Sequence, residues 1–535
     1  MKTFTRKLLV AGIMLFSALV SMQAQEIWNG TVASSFDGGT GTESDPYKIR
    51  TASQLWKLQQ DVAFGNSYTD TYFILTDDIM LNDTTNWQNW STQPPARKWN
   101  PIGESNTKPF RGIFDGNGYT INGIYRIYND VYYGLFGYLG DGGKIQNLGI
   151  RASYYASYKY IGGICGYNYK GTISNCYFSG TIGVSPMALY SSSYIGGICG
   201  WNDVGTITNC RNSGTISVTD ANATVGGICG QIRKGAITNC HNSGTLHTKA
   251  ENEYPNFNVG GIYGDGSAYD AQISNCYNTG TLILEEKQKN AGGICGYNNG
   301  SYITNCYSTG VIEASAGGNV GNISGYNGGD KYITNCYYIA DNGYKGIGYN
   351  SGGTVAKTEE EFASGEVAYL LQSNIEGQTW GQSIGNDKSP LLTSDEDKIV
   401  YQLTLVDGSD TGLLYANSGA FTLPVPERDN FTFLGWFTEE SGGERVPNNS
   451  EISADGILYA QWEENTSTAA YQNDENSFNV TGSNGKLQIS GTDADVSVYD
   501  LQGLLIYHGP ERSITLPAGI YIVKVDEQAL KIRVW

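Results

Sequence analysis

The chain has 535 residues, 40% of them hydrophobic and 16% charged, with a formal net charge of −19. A chain of this length is too long to fold around one compact core, and its apolar content excludes a disordered polymer. Because the charge is acidic and no basic stripe is visible, nucleic acids and anionic membrane surfaces are disfavoured as partners. The 71 glycines and 39 tyrosines favour an all-β chain with many tight turns.

The first 24 residues have the pattern of a secretory signal peptide. Lys2, Arg6 and Lys7 precede an apolar run, Leu8–Val20, that is too short to span a bilayer. We therefore expect removal of residues 1–24 on export and no membrane insertion of the mature chain.

Further along the chain, Ser53 is predicted to be the N-cap of a short helix.

A repeat of 30 to 36 residues then dominates the chain. Each copy has a Gly-Gly-Ile-Cys-Gly segment or a variant of it, followed by an Asn-Cys pair or, in the first copy, Asn147-Leu148. The glycine-rich segments of the successive copies begin at Gly134, Gly162, Gly196, Gly226, Gly260, Gly292 and Gly321. Three short runs per copy, Gly-Ile-Cys, Thr-Ile-x-Asn-Cys and Gly-Thr-Ile/Leu, are predicted to be three strands of one coil. Stacked coils bury what one copy cannot, so residues 25–357 are predicted to form a right-handed parallel β-helix.

These segments resemble the GLUG-motif repeats of bacterial surface β-helices, whose Gly-Leu-x-Gly signature stands almost unchanged at Gly134–Gly137. The resemblance implies a surface protein and is specific for architecture rather than for function.

Residues 358–398 are predicted to form a helical cap and linker. Thr358 and Glu361 make a capping box that opens a helix of about a dozen residues toward Leu371. We expect this helix to cover the open sheet edge at the end of the solenoid.

Two small β modules are predicted after the cap. Residues 399–463 alternate apolar and polar positions, and their Phe433–Trp436 and Leu458–Trp462 segments resemble the Listeria–Bacteroides repeat, an internalin-type module with a β-grasp-like fold. Trp436 and Trp462 are predicted to be core residues rather than sugar platforms. A polar linker, 464–476, precedes residues 477–535, which resemble the C-terminal sorting domain of type IX secretion substrates, a small β-sandwich. That resemblance implies the outer membrane exterior of a Gram-negative bacterium.

The ten cysteines fall in two columns of the repeat, where other copies carry Phe136, Leu148, Tyr263 or Ser324. Positions that accept Phe, Leu and Cys are predicted to face the core, as buried thiols. Disulfides within or between coils are the alternative. No metal or redox motif is visible, since there is no C-x-x-C and the three histidines form no ligand pattern. The columns contain Cys165, Cys176, Cys199, Cys210, Cys229, Cys240, Cys276, Cys295, Cys306 and Cys336.

No catalytic constellation is found, and no cofactor or metal is expected. Asp77, Asp78 and Asp115 lie at strand ends or turns and are predicted to be structural. The asparagines beside the cysteines are predicted to be structural as well, since they can satisfy backbone groups at a turn.

Aromatic residues are the candidate binding groups. Exposed tyrosines among few charges suit contact with sugars or proteins, although they could merely cover a sheet face. The residues predicted to bind are Tyr125, Tyr128, Tyr132, Tyr133, Tyr154 and Tyr155.

The sequence thus predicts a secreted or cell-surface, adhesin-like protein that contacts a glycan or a surface protein. A carbohydrate-active β-helix enzyme, either a lyase or a glycoside hydrolase, is the alternative, and a purely structural surface protein is a third possibility. The oligomeric state is left open.

Overall fold

The computed structural model describes most of the chain after residue 25. The described residues are 26–127, 131–184, 192–219, 222–250, 256–268, 270–285, 289–341, 343–372, 379–383, 386–392, 400–417, 419–420, 423–448, 450–452, 456–464, 478–526 and 528–535. The predicted signal peptide and residues 465–476 of the predicted linker lie outside them. Two compact units are distinguished, 1–400 and 401–535. Within the described residues, no helix combines the length and the apolar character that a membrane span requires.

The first unit contains a parallel β-solenoid whose coils place equivalent residues in register, which confirms the all-β class and the predicted repeat architecture. Sheet 1 has seven strands: Tyr132–Tyr133, Tyr160–Gly162, Ser193–Gly196, Ala223–Gly226, Phe257–Gly260, Lys289–Gly292 and Asn319–Gly321. Sheet 2 has eight: Phe136–Leu139, Cys165–Tyr169, Cys199–Asp203, Cys229–Arg233, Tyr263–Ala268, Cys295–Asn298, Ser324–Asn327 and Ile347–Tyr349.

Sheet 3 is the largest, and it contains both the Ile-x-Asn-Cys segments and the strands that follow them. Its strands are Tyr47–Ile49, Tyr72–Leu75, Ile79–Met80, Ile113–Asp115, Thr120–Asn122, Tyr125–Ile127, Lys144–Gln146, Gly149–Ser157, Thr172–Ser174, Tyr177–Val184, Thr206–Thr208, Arg211–Asn212, Thr215–Thr219, Ala236–Thr238, His241–Asn242, Thr245–Lys249, Gln272–Ser274, Tyr277–Asn278, Thr281–Leu284, Tyr302–Ser308, Ile312–Ala314, Ile333–Ile339 and Thr354–Lys357.

The Gly-Gly-Ile-Cys-Gly segment is a corner between sheets 1 and 2, not the single strand predicted from the sequence. In one such coil, the strand of sheet 1 ends at Gly162 and the strand of sheet 2 begins at Cys165. A Cβ at Gly162 would lie 2.0 Å from the carbonyl oxygen of Cys165, so the chain bends too tightly there for any side chain. The repeated glycines therefore set the angle between the two sheets.

All ten cysteines are free thiols, and all are buried, which leaves the disulfide alternative without support in this structure. Cys165 and Cys199 pair in register in sheet 2, while Cys306 and Cys336 pair in sheet 3. Burial raises the pKa of the Cys165 thiol well above its ordinary value. These columns form the interior together with rows of isoleucine.

Asparagine ladders stabilise the turns between coils. The residues before the cysteines adopt left-handed backbone angles, as at Asn175 and Asn209, where φ is 53°. Asparagine tolerates this region better than most residues with a side chain. The Asn209 amide donates to Oδ1 of Asn175 at 3.1 Å, and the Asn175 amide donates to Oδ1 of Asn147 at 2.9 Å. The turn geometry and the ladder explain why asparagine recurs at this position.

Helix α1, Ala52–Ala63, packs its apolar face on the first coils. Its N-cap is Thr51, which forms a capping box with Gln54, so the prediction of Ser53 as the cap was wrong by two residues. Thr51 precedes the first helical residue and has extended backbone angles, as an N-cap requires.

The predicted cap contains two helices, α2 at Glu359–Ala363 and α3 at Glu366–Gln372, rather than one. The capping box of Thr358 and Glu361 is present, but Gly365 at φ 90° separates the helices. Both pack against the outward ring column Tyr277, Tyr307 and Tyr337, together with Trp380. In the described residues, the apolar contacts of these two helices thus lie along the side of the last coils. The sequence predicted instead that a helix would cover the open sheet edge at the end of the solenoid. A short pair, Trp380–Gly381 with Leu391–Leu392, completes this region.

The second unit contains two separate hydrophobic cores. The first belongs to a five-stranded sheet in which Trp436 is buried, while Trp462 is half-buried and donates to Asp407. Its strands are Val400–Asp407, Asp410–Asn417, Phe431–Phe437, Arg445–Val446 and Gly456–Glu464, with a small pair at Gly419–Ala420 and Glu451–Ile452.

The last core lies between a three-stranded and a four-stranded antiparallel sheet. The strands of the first are Asn479–Ser483, Lys486–Ser490 and Ser513–Thr515, and those of the second are Val496–Asp500, Leu505–Gly509, Gly519–Val525 and Gln528–Val534.

Candidate functional site

The structure buries three of the tyrosines that were predicted to be exposed. Tyr125, Tyr133 and Tyr155 are 3%, 1% and 0% exposed, so the expectation of exposure was wrong for them. Tyr155 points inward because a bulge at Ala152, where φ is 44°, changes the register between Arg151 and Tyr154.

The other predicted tyrosines have different surroundings. Tyr154 is half-buried and stacks on Tyr125 at 6.2 Å between ring centroids. Tyr128 lies outside the described residues. Tyr132 is also half-buried, and it belongs to a larger group of rings.

Six half-buried rings form the group that we call the aromatic cluster. They are Tyr132, Tyr138, Tyr160, Tyr167, Tyr194 and Trp201. Three of them come from sheet 1, where Tyr160 stacks on both of its neighbours at 5.2 and 5.5 Å. The other three come from sheet 2, where Tyr167 stacks on Tyr138 at 5.0 Å and on Trp201 at 5.9 Å. Register stacking along the solenoid thus produces two parallel ring ladders.

The two ladders meet edge to face at the corner between the sheets. The Tyr160 and Tyr167 centroids are 5.2 Å apart with ring planes at 83°, and those of Tyr194 and Trp201 are 4.7 Å apart at 68°. Such perpendicular pairs add about 0.5–1.5 kcal/mol beyond the area they bury. The sheets approach so closely here that a Cβ at Gly200 would lie 2.5 Å from the backbone nitrogen of Ile161. Glycine at this position is what allows the rings of the two sheets to converge.

The cluster is uncharged at neutral pH. Burial raises the pKa of Tyr138 and Tyr160 to about 12, and it also raises the pKa of Tyr132 and Tyr194. For Tyr167, burial and a hydrogen bond to Asp203 both raise the pKa. The surface therefore offers apolar ring area and neutral hydroxyl groups.

A buried carboxylate fixes one edge of the cluster. Asp203 is 2% exposed and accepts a hydrogen bond from the Tyr167 hydroxyl at 2.8 Å. Arg233 holds the same carboxylate with two hydrogen bonds, of 2.7 and 2.6 Å. This network orients the Tyr167 ring, so the geometry of the cluster does not depend on ring packing alone.

The aromatic ladders end at Tyr194 and Trp201. The residues next in register are Thr224 and Gln231, which carry no ring, so the far face of the indole is not covered by another aromatic side chain. The buried Nε1 of Trp201 has no hydrogen-bond partner among the described residues. Beyond this step the corner becomes polar, with Asn258 donating to Asp265 at 3.1 Å and Asn290 donating to Asn258 at 2.9 Å.

Sequence reasoning found Tyr132 but missed the rest of the cluster as a binding surface. A usable signal existed, because Tyr138, Tyr167 and Trp201 each directly follow the last glycine of a repeat segment. Aligning the copies by column would have identified the ladder, whereas counting tyrosines along the chain selected a mixture of inward and outward residues.

The acidic residues noted in the sequence make structural contacts. Asp78 accepts hydrogen bonds from Thr120, and Asp115 accepts them from Asn117, Gln146 and Asn147. Among the described residues, no group of three or more His, Cys, Asp or Glu side chains is arranged to hold a metal ion. The expectation that the protein is not an enzyme remains a prediction.

Two family models match parts of this chain. The GLUG motif matches residues 157–183 and 191–217, and the Listeria–Bacteroides repeat domain matches residues 407–461. Both of these resemblances are thereby confirmed.

Two curated proteins share part of the sequence. A protein of Evansella cellulosilytica named as a Gly-rich membrane protein is 35% identical over 147 residues, which is 27% of this chain and 15% of that protein. Halomucin of Haloquadratum walsbyi is 28% identical over 156 residues, which is 29% of this chain and 2% of halomucin. The matched segments are thus small parts of much longer proteins.

Two solved structures are similar in fold. A protein of Bacteroides ovatus named as an immunoglobulin A1 protease is 21% identical with a TM-score of 0.43, covering 67% of this chain and 96% of that one. A second structure, named IgA1 Protease, is 18% identical with a TM-score of 0.35, covering 58% of this chain and 21% of that one. Similarity at this level concerns the fold alone and carries no conclusion about activity.

Proposed function

We propose that this protein is an adhesin-like, cell-surface binding protein whose β-solenoid recognises carbohydrate chains at the aromatic cluster. The observation that carries the proposal is the pair of ring ladders that ends at Trp201, whose far face is not covered by another aromatic side chain.

The chemistry of the corner suits a sugar better than a charged ligand. Sugar rings have apolar faces that stack on indole and phenol rings, and hydroxyl groups that pair with amides and hydroxyls. Trp201 and Tyr194 supply the rings, while Asn258 and Asn290 lie further along the same corner. The ladders are already packed before a ligand arrives, so little side-chain entropy is lost on binding.

A location outside the cell is part of the proposal. The signal-like start of the sequence, the resemblance of residues 477–535 to a sorting domain and a relative named as a membrane protein support it. Protease treatment of intact cells that express the full chain tests it, because a surface protein is degraded without lysis. Survival of the chain in intact, well-expressing cells would contradict a surface location.

A glycan array probed with the purified chain tests recognition. We expect a set of related glycans to bind, and calorimetry on the best one to give at least about a tenfold weaker Kd for Trp201→Ala, since tenfold corresponds to about 1.4 kcal/mol. Tyr302→Ala is the matched control, because this half-buried ring lies in sheet 3 away from the cluster.

Two results would overturn this proposal. One is an array without specific binding, accompanied by capture of a surface protein that is insensitive to Trp201→Ala. The other is equal weakening by Trp201→Ala and Tyr302→Ala. Assays for new reducing ends and for unsaturated products, run on every glycan that binds, test the lyase or hydrolase alternative directly.

A further inference from the structure

A second surface of the solenoid, on sheet 3 rather than on sheets 1 and 2, brings two arginines to one tyrosine ring. The Arg151 guanidinium carbon is 5.1 Å from the Tyr177 ring centroid, and that of Arg211 is 4.8 Å from it. The strand containing Tyr177 pairs with the strand of Arg151 on one side and with that of Arg211 on the other. The ring therefore has a cation on each side along the solenoid axis.

The arrangement depends on a glycine. Gly149 pairs with Tyr177 in register, and a Cβ at Gly149 would lie 2.3 Å from the tyrosine ring. The ring thus lies over the neighbouring strand, within cation–π distance of both guanidinium groups. The stacking fixes where the guanidinium groups are and restricts their rotamers.

Neither guanidinium makes a hydrogen bond or an ion pair within the described part of the chain. Both lie over the Tyr177 ring, and the charge of Arg211 also acts on His241. This is unusual for a chain with 52 acidic and only 33 basic residues, where an exposed arginine has many possible carboxylate partners. Guanidinium groups are planar donors whose geometry matches carboxylate and sulfate oxygens. The pair is thus prepared for an anion from outside the chain.

An amide-lined cleft lies beside the arginines. It has a volume of about 340 Å³, and its walls include Arg211, Tyr177 and the ladder residues Asn147, Asn175 and Asn209. Each asparagine amide has two N–H groups. The Asn175 and Asn209 amides each donate one hydrogen bond within the ladder, so each keeps a second N–H group that can donate to an oxygen of a ligand. Asp115, at the start of the asparagine ladder, accepts hydrogen bonds from Gln146 and Asn147.

We infer that this surface is a second binding site, which takes an acidic carbohydrate whose carboxylate or sulfate groups pair with Arg151 and Arg211. Sugar hydroxyls contact the asparagine ladder in the cleft. The net charge of the chain opposes the approach of a polyanion, but at physiological salt this repulsion is screened beyond about 8 Å, so contacts at the site decide binding.

Calorimetry with the full chain and three hexasaccharides tests the inference. The probes are a uronic-acid oligomer, a sulfated oligomer and a neutral oligomer of similar length. We expect binding of at least one acidic probe, weakening at higher salt, and at least a tenfold loss of affinity in the double variant Arg151→Gln with Arg211→Gln. Which acidic probe binds distinguishes carboxylate from sulfate recognition.

Controls separate this site from the aromatic cluster and from misfolding. Lys234→Gln removes an exposed cation elsewhere and should leave the affinity unchanged, as should Trp201→Ala. Arg211→Lys keeps the charge but loses the two-point contact, so it should bind more weakly than the natural chain even if the double variant fails to fold. Binding of the neutral probe alone, no binding of either acidic probe, or unchanged affinity in Arg211→Lys and the double variant would overturn the inference. Loss of glycan binding in Trp201→Ala affects only the function proposed above.

Discussion

Close backbone approaches decide which residues the solenoid accepts at its corners. A Cβ at Gly200 would meet the backbone nitrogen of Ile161 and the carbonyl oxygen of Gly166, at 2.5 and 2.6 Å, and neither group is a flexible side chain that could move away. The glycine that precedes Trp201 is therefore as important for the aromatic cluster as the rings.

Gly200→Ala tests this requirement. We expect a loss of about 1–3 kcal/mol in the free energy of unfolding, because the added methyl group must push two strands apart. Urea denaturation followed by circular dichroism measures it. Gly183→Ala is the matched control, since its Cβ would find its nearest neighbours at 3.6 Å or more. Equal stability of the two variants would show that the corner is not tightly packed.

A half-buried histidine gives the solenoid a defined response to acid. His241 stacks on Tyr277 at 4.7 Å, and burial, followed by the charge of Arg211, lowers its pKa from 6.5 to about 4. Between these two pH values the unfolded chain binds the proton more readily than the folded one, so the histidine's contribution to stability falls as the pH drops.

The expected loss between pH 6.5 and 4 is up to about 3 kcal/mol relative to a His241→Gln variant. Urea unfolding at a series of pH values measures it. His508→Gln, a variant at an exposed histidine of the second unit, should keep the pH dependence of the natural chain. A pH dependence unchanged by His241→Gln would contradict the assignment.

At the scale of elements, helices α2 and α3 protect the last coils by packing on their side. Phe362 of α2 is fully buried and, with Trp380, packs on the ring of Tyr307. Because each coil of a solenoid contacts mainly its neighbours, damage to this cap should remain local.

Phe362→Ala should destabilise the last coils by about 3–5 kcal/mol, the usual cost of such a truncation. Hydrogen exchange should accelerate at Tyr302–Ser308 and Ile333–Ile339, while Thr172–Ser174 stays protected. Phe64→Ala is the control, because Phe64 is 85% exposed. Uniform acceleration along the solenoid would instead mean that it unfolds as one cooperative unit.

At the scale of the whole molecule, the two units have separate cores. A chain that ends at Val400 should therefore keep the solenoid. We expect its melting temperature to lie within about 3 °C of the solenoid transition in the full chain, since no core residue of the solenoid is removed. Scanning calorimetry measures this shift, and a collapse of the truncated chain would show that residues 401–535 are required for folding.

Sequence periodicity alone determined the solenoid. Near-identical copies at a fixed spacing can bury their apolar side only by stacking, so the parallel architecture and the interior cysteine columns follow from the repeat. The capping box at Thr358 was also readable, because it is a local pattern within four residues.

Only the tertiary structure decided which tyrosines face outward. In sheet 2, Cys165 and Asn168 are both buried while Tyr167 between them is half-exposed, so simple alternation along the strand fails at the corners. The bulge at Ala152 reverses the orientation of the tyrosines that follow it in the same way. Bulges and corners shift the alternation by one residue, and their positions are set by contacts between coils that no single segment contains.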